Sequence, residues 1–306
     1  MQQLADGVWV VEPQGAPRYP YGNCMFIDDE RPTVIDFGAG ASSFAALKRE
    51  SVEIGIFSHF HHDHVHGDTL FPNIRLLAGR EEEDNYRSRE SYMRHFGFQF
   101  WEELMGQLRW LPYAKTIVGG LSPDVVAPPG FRTIDLAGTF TDNQVLDLGR
   151  RKLTALHLPG HTAGHYGFYL EEEGILFSGD IDLTAGGPWY FGESSDLTAL
   201  FASVSRIKKI GPGILVPSHR RVFTAGINEG LDKFVKVVLD REEKVLEALK
   251  EPQTVPELAE RRILFPARRN MYEEFWEKMG LRNHLKRLLK MGAVIKEEDG
   301  RYRRTG

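Results

Sequence analysis

Ten residues, "SHFHHDHVHG" from Ser58 to Gly67, constrain the fold more than any other stretch of the chain. They follow directly on the apolar run "VEIGIF" and hold five of the eleven histidines, His59, His61, His62, His64 and His66, together with Asp63. A short apolar run bounded this way reads as a buried strand. In an extended loop, residues two apart point the same way, so His59 and His61 can grip one metal ion. Asp63 and His64 follow once the chain turns and can face a second. Imidazole and carboxylate ligands suit zinc, and also iron or manganese. A solvated histidine-rich tract is the competing reading of this stretch alone, so the decision falls to the rest of the chain.

Three later stretches supply the missing half. "LPGHTAGH" places His161 behind a Pro159-Gly160 turn after the strand-like "KLTALHL". "LFSGD" places Asp180 at the end of an apolar run, and "LVPSH" places His219 at the end of another. Each of these polar residues alone has a structural explanation: a cap for Asp180, a satisfied core imidazole for His161 or His219. Four apolar runs that each end in such a residue are not a coincidence, because strand ends on one edge of a sheet converge where α/β folds place their sites.

The surrounding pattern is a layered α/β fold. "GVWVV", "GNCMFID" and "PTVIDFG" read as strands, and Ser42 to Glu50 reads as a helix capped by Ser42 or Ser43. A helix from Asp196 to Ile210 takes Asp196 or Ser195 as its cap. Gly79 to Gly130 breaks the strand rhythm with a charged, then aromatic, helical-looking segment. It is expected to be an insertion between two sheets that folds over the site as a helical lid, with Phe96, Phe98, Phe100 and Trp101 as its apolar face. From Asn228 the chain turns helical, and Asp299-Gly300 marks a closing hairpin. The expected division is a catalytic domain over 1–250, with the 79–130 lid inside it, and a small winged-helix-like region over 251–306.

At 306 residues with 42% apolar and 26% charged residues, a packed core is expected rather than disorder. No apolar run approaches the roughly 18–20 residues that span a bilayer, and the N-terminus lacks the pattern of a signal peptide. Cys24 is the only cysteine, which excludes an internal disulfide and favours a reducing cytoplasm; its strand-like context makes it a small core residue. From Arg241 to Gly306 there are 16 Lys/Arg against 12 Asp/Glu, a local +4, so with a net charge of −5 the part before Arg241 carries −9. Two parts with different roles fit that asymmetry.

The set "HFHHDH", "PGHTAGH", "SGD" and "PSH" resembles the metallo-β-lactamase superfamily, and within it the glyoxalase II-type hydrolases. The resemblance implies a four-layer αββα sandwich with a two-metal site, zinc foremost. It implies that His59, His61 and His161 hold one metal, that Asp63, His64 and His219 hold the other, and that Asp180 bridges them. Asp36 of "VIDFG" would support the metal loop from behind. His62 and His66 match no ligand position and are expected beside the site or on the surface; "VHG" stands where the family has Gly-Gly after the ligand histidine. Oxygen-reducing diiron relatives carry an acid where His61 stands, and single-iron persulfide dioxygenases lack the full second site.

The implied chemistry is a hydrolase in which a metal-bridging hydroxide attacks an acyl carbonyl, with Asp63 orienting it and accepting its proton. Trp189, Tyr190 and Phe191 follow Asp180 closely, and Tyr190 is expected to donate to the developing oxyanion. The aromatic lid favours a small-molecule acyl substrate, a thioester or lactone. A phosphodiesterase or endoribonuclease acting on single-stranded nucleic acid is the alternative, raised by the basic tail but opposed by the acidic catalytic part. A purely structural metal in a non-enzyme is disfavoured, since seven ligands over two metals leave coordination positions open. The tail carries more apolar side chains than a mini-core needs, so it is expected to pack on the catalytic domain or on a second copy as a homodimer.

Overall fold

The computed structural model describes residues 1–106, 108, 122–267 and 269–305. Two sheets lie face to face with helices on both outer sides. The first sheet has seven strands in sequential order: β1 Gln2–Ala5, β2 Val8–Val11, β3 Cys24–Ile27, β4 Thr33–Ile35, β5 Ile54–Ile56, β6 Arg75–Gly79 and β7 Gly138–Phe140. Pairing is antiparallel up to β4 and parallel from β4 to β7. The second sheet runs in the order β12-β11-β10-β9-β8, from β8 Val145–Asp147, β9 Lys152–His157, β10 Tyr166–Leu170, β11 Ile175–Gly179 and β12 Ile214–Pro217. Only β11 and β12 pair in parallel there.

The alternation of side chains along each strand separates three cores. Met25, Ile27, Ile35 and Ile56 meet Phe168, Leu170, Phe177 and Val216 between the sheets. Cys24, Val34 and Phe57 point the other way, toward Phe37, Phe44 and Phe71. Leu156, Leu176 and Leu215 face the helices that cover the second sheet. This is the expected αββα sandwich.

The helix Leu197–Ile210 starts where the Asp196 carboxylate accepts from Thr198 N and Ala199 N, and it ends at Gly211. The segment from Ser42 to Glu50 is not one helix: only Ala41–Phe44 is helical, and the chain then re-forms as a 3-10 turn, Arg49–Ser51. That break lets Phe44 and Leu47 both turn into the outer core. The inserted segment also departs from expectation. β6 and β7 pair directly, so the insertion lies within the first sheet and not between the two. Its described part holds three short helices, Glu83–Arg87, Arg89–His95 and Trp101–Met105. Residues 107 and 109–121 of the expected lid lie outside the described residues.

The C-terminal region contains Ile227–Ala248, Val255–Ala259 and the 20-residue helix Met271–Lys290, closed by the hairpin of β13 Val294–Lys296 and β14 Tyr302–Arg304. One core runs across residue 250: Leu258, Phe275, Leu281 and Leu285 share it with Leu156, Leu200 and Phe234. Trp101 joins the same core against Tyr272 and Phe275, so it is not part of the face above the site. Phe100 lies under the Arg282 guanidinium instead. Among the described residues, no helix is long and apolar enough to cross a membrane.

Candidate metal centre

His59 and His61 leave β5 in extended conformation, and the short helix His62–Val65 then turns the chain. That turn points Asp63 and His64 to a second position. His161, Asp180 and His219 arrive from the loops after β9, β11 and β12, whose ends share one edge of the second sheet. His161 Nε2 lies 3.1 Å from His59 Nε2 and 2.9 Å from His61 Nδ1. Asp180 Oδ2 is 3.2 Å from His161 Nε2, while Asp180 Oδ1 is 3.1 Å from His64 Nε2 and 3.3 Å from His219 Nε2. Asp63 Oδ2 is 3.4 Å from His219 Nε2. Two groups result, His59/His61/His161/Asp180 and Asp63/His64/His219, with one Asp180 oxygen turned to each.

The outer ring nitrogens decide what the inner ones can do. His161 Nδ1 donates to Trp189 O at 2.9 Å and His219 Nδ1 donates to Tyr21 O at 3.1 Å. His64 Nδ1 donates to Asp36 Oδ2 at 2.7 Å. His59 Nδ1 donates to Ser58 Oγ at 3.0 Å, and that hydroxyl donates to Asp36 Oδ2 at 2.6 Å. For these four histidines the inner nitrogen is the one left to meet a cation, a metal ion or a proton. The 3.1 Å contact between His161 Nε2 and His59 Nε2 therefore sets lone pair against lone pair in a buried place, which a cation relieves. The donor set therefore fits divalent metal ions at both groups.

The electrostatics agree. Burial and the neighbouring imidazoles hold His59 and His61 well below the ordinary histidine range. Burial pulls His64 and His219 down as well, but Asp180 and the other carboxylates outweigh it, placing His64 well above its usual value and His219 at about 9. Burial raises the Asp180 carboxyl, and His219, His64 and His161 more than reverse that, holding it well below the carboxylate range. Without metal, protons take the place of cations beside Asp180.

The sequence profile of the metallo-β-lactamase superfamily matches residues 18–219, which include all seven of these residues. The chain belongs to the metallo-β-lactamase superfamily. Curated relatives include the lactamase-like protein nscB of Arthroderma otae, 33% identical over 113 residues, 37% of this chain and 32% of that protein. An atrochrysone carboxyl ACP thioesterase of Aspergillus chevalieri is 34% identical over 110 residues, 36% of this chain and 34% of that one. A hydroxyacylglutathione hydrolase of Francisella tularensis is 33% identical over 79 residues, 26% and 31% of the two chains. The chain thus spans about a third of the length of the curated relatives it matches. A metallo-β-lactamase family protein of Thermus thermophilus superposes with a TM-score of 0.70 at 23% identity, over 99% of this chain and 100% of that one. The shared fold therefore takes in the C-terminal helices.

In this metallo-β-lactamase superfamily member Asp36 braces the centre from behind, as the resemblance implied, and several further groups that do so carry no sequence signal of their own. Asp36 holds His64 and, through Oδ1, accepts from Ser58 N at 2.7 Å. Gly38 is obligatory beside it, since a Cβ there would lie 1.7 Å from Asp63 O. His165 donates from Nδ1 to Leu158 O at 2.9 Å and accepts at Nε2 from Asp180 N at 3.0 Å, and burial lowers it to about 3, so it stays neutral. Its place in "HTAGH" is the one hint the sequence holds. Glu82 of the insertion accepts from Phe60 N at 3.2 Å and Gly164 N at 2.9 Å, tying the two ligand-bearing loops together. Asn283 of the C-terminal helix donates to Tyr190 O at 2.8 Å and Gly192 O at 2.9 Å, which fixes the loop whose Trp189 carbonyl orients His161.

Tyr190 is not at the reacting end. Its hydroxyl is fully buried, 2.9 Å from His284 Nε2 and 3.3 Å from Arg241 Nη1. Adjacent residues of an extended loop point to opposite sides, so Trp189 takes the position on the cavity and Tyr190 the one in the core. His62 and His66 are buried rather than on the surface. Their rings stack at 5.2 Å, and the His62 Nε2 hydrogen bond to Ala127 O at 2.7 Å tethers the segment after the insertion's helices.

A cavity of about 900 Å³ opens over the centre, with His61, Asp63, His161, Asp180 and His219 among its lining residues. Phe96 stacks on the His61 ring at 5.3 Å, and Trp189 meets His61 edge-on at 5.1 Å. The insertion thus does cover the site, through Tyr92, Phe96 and Phe98, and Trp276 of the C-terminal helix adds to the same wall.

Proposed function

We propose that the protein is a binuclear metal-dependent hydrolase of acyl substrates, thioesters foremost and lactones next. The observation that carries this is the pair of ligand groups sharing Asp180 at the base of a large cavity with aromatic walls. Two matched relatives named for thioesterase and hydroxyacylglutathione hydrolase activity support the same choice. Two divalent ions held here, zinc foremost and iron or manganese as alternatives, supply Lewis acidity and bring the pKa of water down to about 7. The chain's own residues supply the rest. Asp63, on the cavity and beside His219, orients the attacking water and takes its proton at the carboxylate. Asp36, His165 and the Trp189 carbonyl keep the ligands aimed inward. Phe96 and Trp189 exclude bulk water and hold the acyl group beside the centre. The single buried Cys24 favours a reducing, cytoplasmic setting.

Nucleic acid is not the partner in this reading. Arg301 pairs with Glu257 at 3.0 Å, Arg303 with Glu297 at 2.9 Å and Arg282 with Glu103 at 2.9 Å. A basic face neutralised by its own acids has little pull on a phosphate backbone. The test is a panel of thioesters, lactones, phosphodiesters and single-stranded RNA with the metal-replete protein. Turnover of a thioester or lactone with kcat/KM above that of every phosphodiester is expected. Cleavage of RNA or phosphodiesters with no acyl turnover would overturn the proposal.

A further inference from the structure

The cavity has a charged mouth as well as an apolar wall. Arg18 of the loop after β2, Arg89 of the insertion and Arg220, next to the ligand His219, all line it. Arg18 and Arg89 are exposed and Arg220 is half-buried, whereas His61, His161 and Asp180 at the other end are buried. The cations therefore ring the entrance and the ligands form the floor. Arg220 is steadied by donating to Leu183 O at 3.1 Å, which still leaves donors of its planar guanidinium for another partner. None of the three has a carboxylate within ion-pair distance among the described residues. That sets them apart from the tail's Arg282, Arg301 and Arg303, each of which has its own acid. The acids that line the cavity, Asp63, Asp180 and Asp182, belong to the floor.

Three separate chain segments bring unneutralised guanidinium groups to one opening. Guanidinium forks match carboxylate and phosphate oxygens, and a cleft with one sign of charge concentrates ligands of the other. A neutral ester or lactone would use the aromatic wall and the floor but would leave this ring without a partner.

We propose that the cavity selects acyl substrates that carry an anionic group, a carboxylate or a phosphate, which Arg18, Arg89 and Arg220 hold at the mouth while the acyl carbonyl sits at the floor. The proposal rests on the acyl-hydrolase reading and narrows its substrate class. The anion can stand on the acyl side or the thiol side of the scissile bond, and the experiment separates these. Two matched pairs of thioesters are compared with the metal-replete protein. One pair differs by an ω-carboxylate on the acyl chain with a neutral thiol. The other differs by a phosphate on the thiol with the same neutral acyl group.

In at least one pair the anionic member is expected to have about a tenfold higher kcat/KM, since exposed ion pairs contribute roughly two- to fivefold each. The pair that shows the preference locates the anion. Combining Arg18→Gln with Arg89→Gln should cut the anionic-to-neutral ratio by about fivefold or more, while Arg304→Gln, on the distant hairpin, leaves the ratio where it was. Turnover of all four thioesters with no preference for charge, or a preference that the double variant does not reduce, would overturn this inference and leave the hydrolase reading standing. Absence of turnover for every member would overturn the hydrolase reading and this inference with it.

Discussion

A buried carboxylate that accepts two backbone N–H groups from different loops fixes the distance between those loops, and Glu82 does this for the loops carrying His59/His61 and His161. Burial lifts its carboxyl to about 7, from an unfolded value near 4.5. The folded protein therefore holds one more proton than the unfolded chain between these values. Glu82's contribution to stability is complete below about pH 4.5 and is lost as pH rises through 7, a swing of about 3 kcal/mol. Urea unfolding of the metal-depleted protein against pH should show this slope, and Glu82→Gln should remove it; parallel curves for the two proteins would contradict the assignment. Tyr190 gives a second prediction at this scale. Because its hydroxyl bonds to His284 in the core, Tyr190→Phe should lower stability by about 1 kcal/mol and leave kcat within about threefold. A drop of a hundredfold in kcat with metal content intact would restore it to the site. That these seven histidines and aspartates cluster is legible in the sequence, because each follows an apolar run at a strand end. Tyr190 is not, because adjacency in sequence to Trp189 does not say which side of the loop a ring takes. Glu82 and Asn283 are not legible at all, since their partners are backbone atoms far along the chain.

At the scale of elements, the helix Met271–Lys290 matters to a centre it does not touch through any ligand. Asn283 grips the carbonyls of Tyr190 and Gly192, and the Trp189 carbonyl next to them fixes the His161 ring. Outer partners of this kind tune ligand orientation, and their loss costs about 10–100-fold in metal affinity. Asn283→Ala is thus expected to weaken the metal held by the His59/His61/His161 group by about tenfold in chelator competition, with the circular dichroism spectrum of the fold retained. Unchanged affinity would show that the Trp189 loop holds its shape without the helix. Strand and helix order is readable from apolar periodicity. β7 escapes it because three residues, "GTF", are too few to show a period, and without β7 the insertion falls between the sheets rather than inside the first. The tail's apolar surplus does mark a docking face, since Leu258, Phe275, Leu281 and Leu285 are all buried in the core shared with the second sheet's helices.

For the molecule as a whole, two sheets, an insertion and a C-terminal helical region converge on one cavity, the sheets supplying its floor and the other two its wall. The His59–His64 loop comes from the first sheet, while His161, Asp180 and His219 come from the second, so the ligand groups complete only when the sandwich closes. Asp180 links them by turning one oxygen to each. The direct test is the metal-to-protein ratio of the protein purified with metal present, measured with and without Asp180→Ala. Two divalent ions per chain are predicted for the unaltered protein, with both held weakly and hydrolysis lost in Asp180→Ala. One ion or fewer per chain in the unaltered protein, or two ions retained tightly by Asp180→Ala, would contradict the binuclear centre.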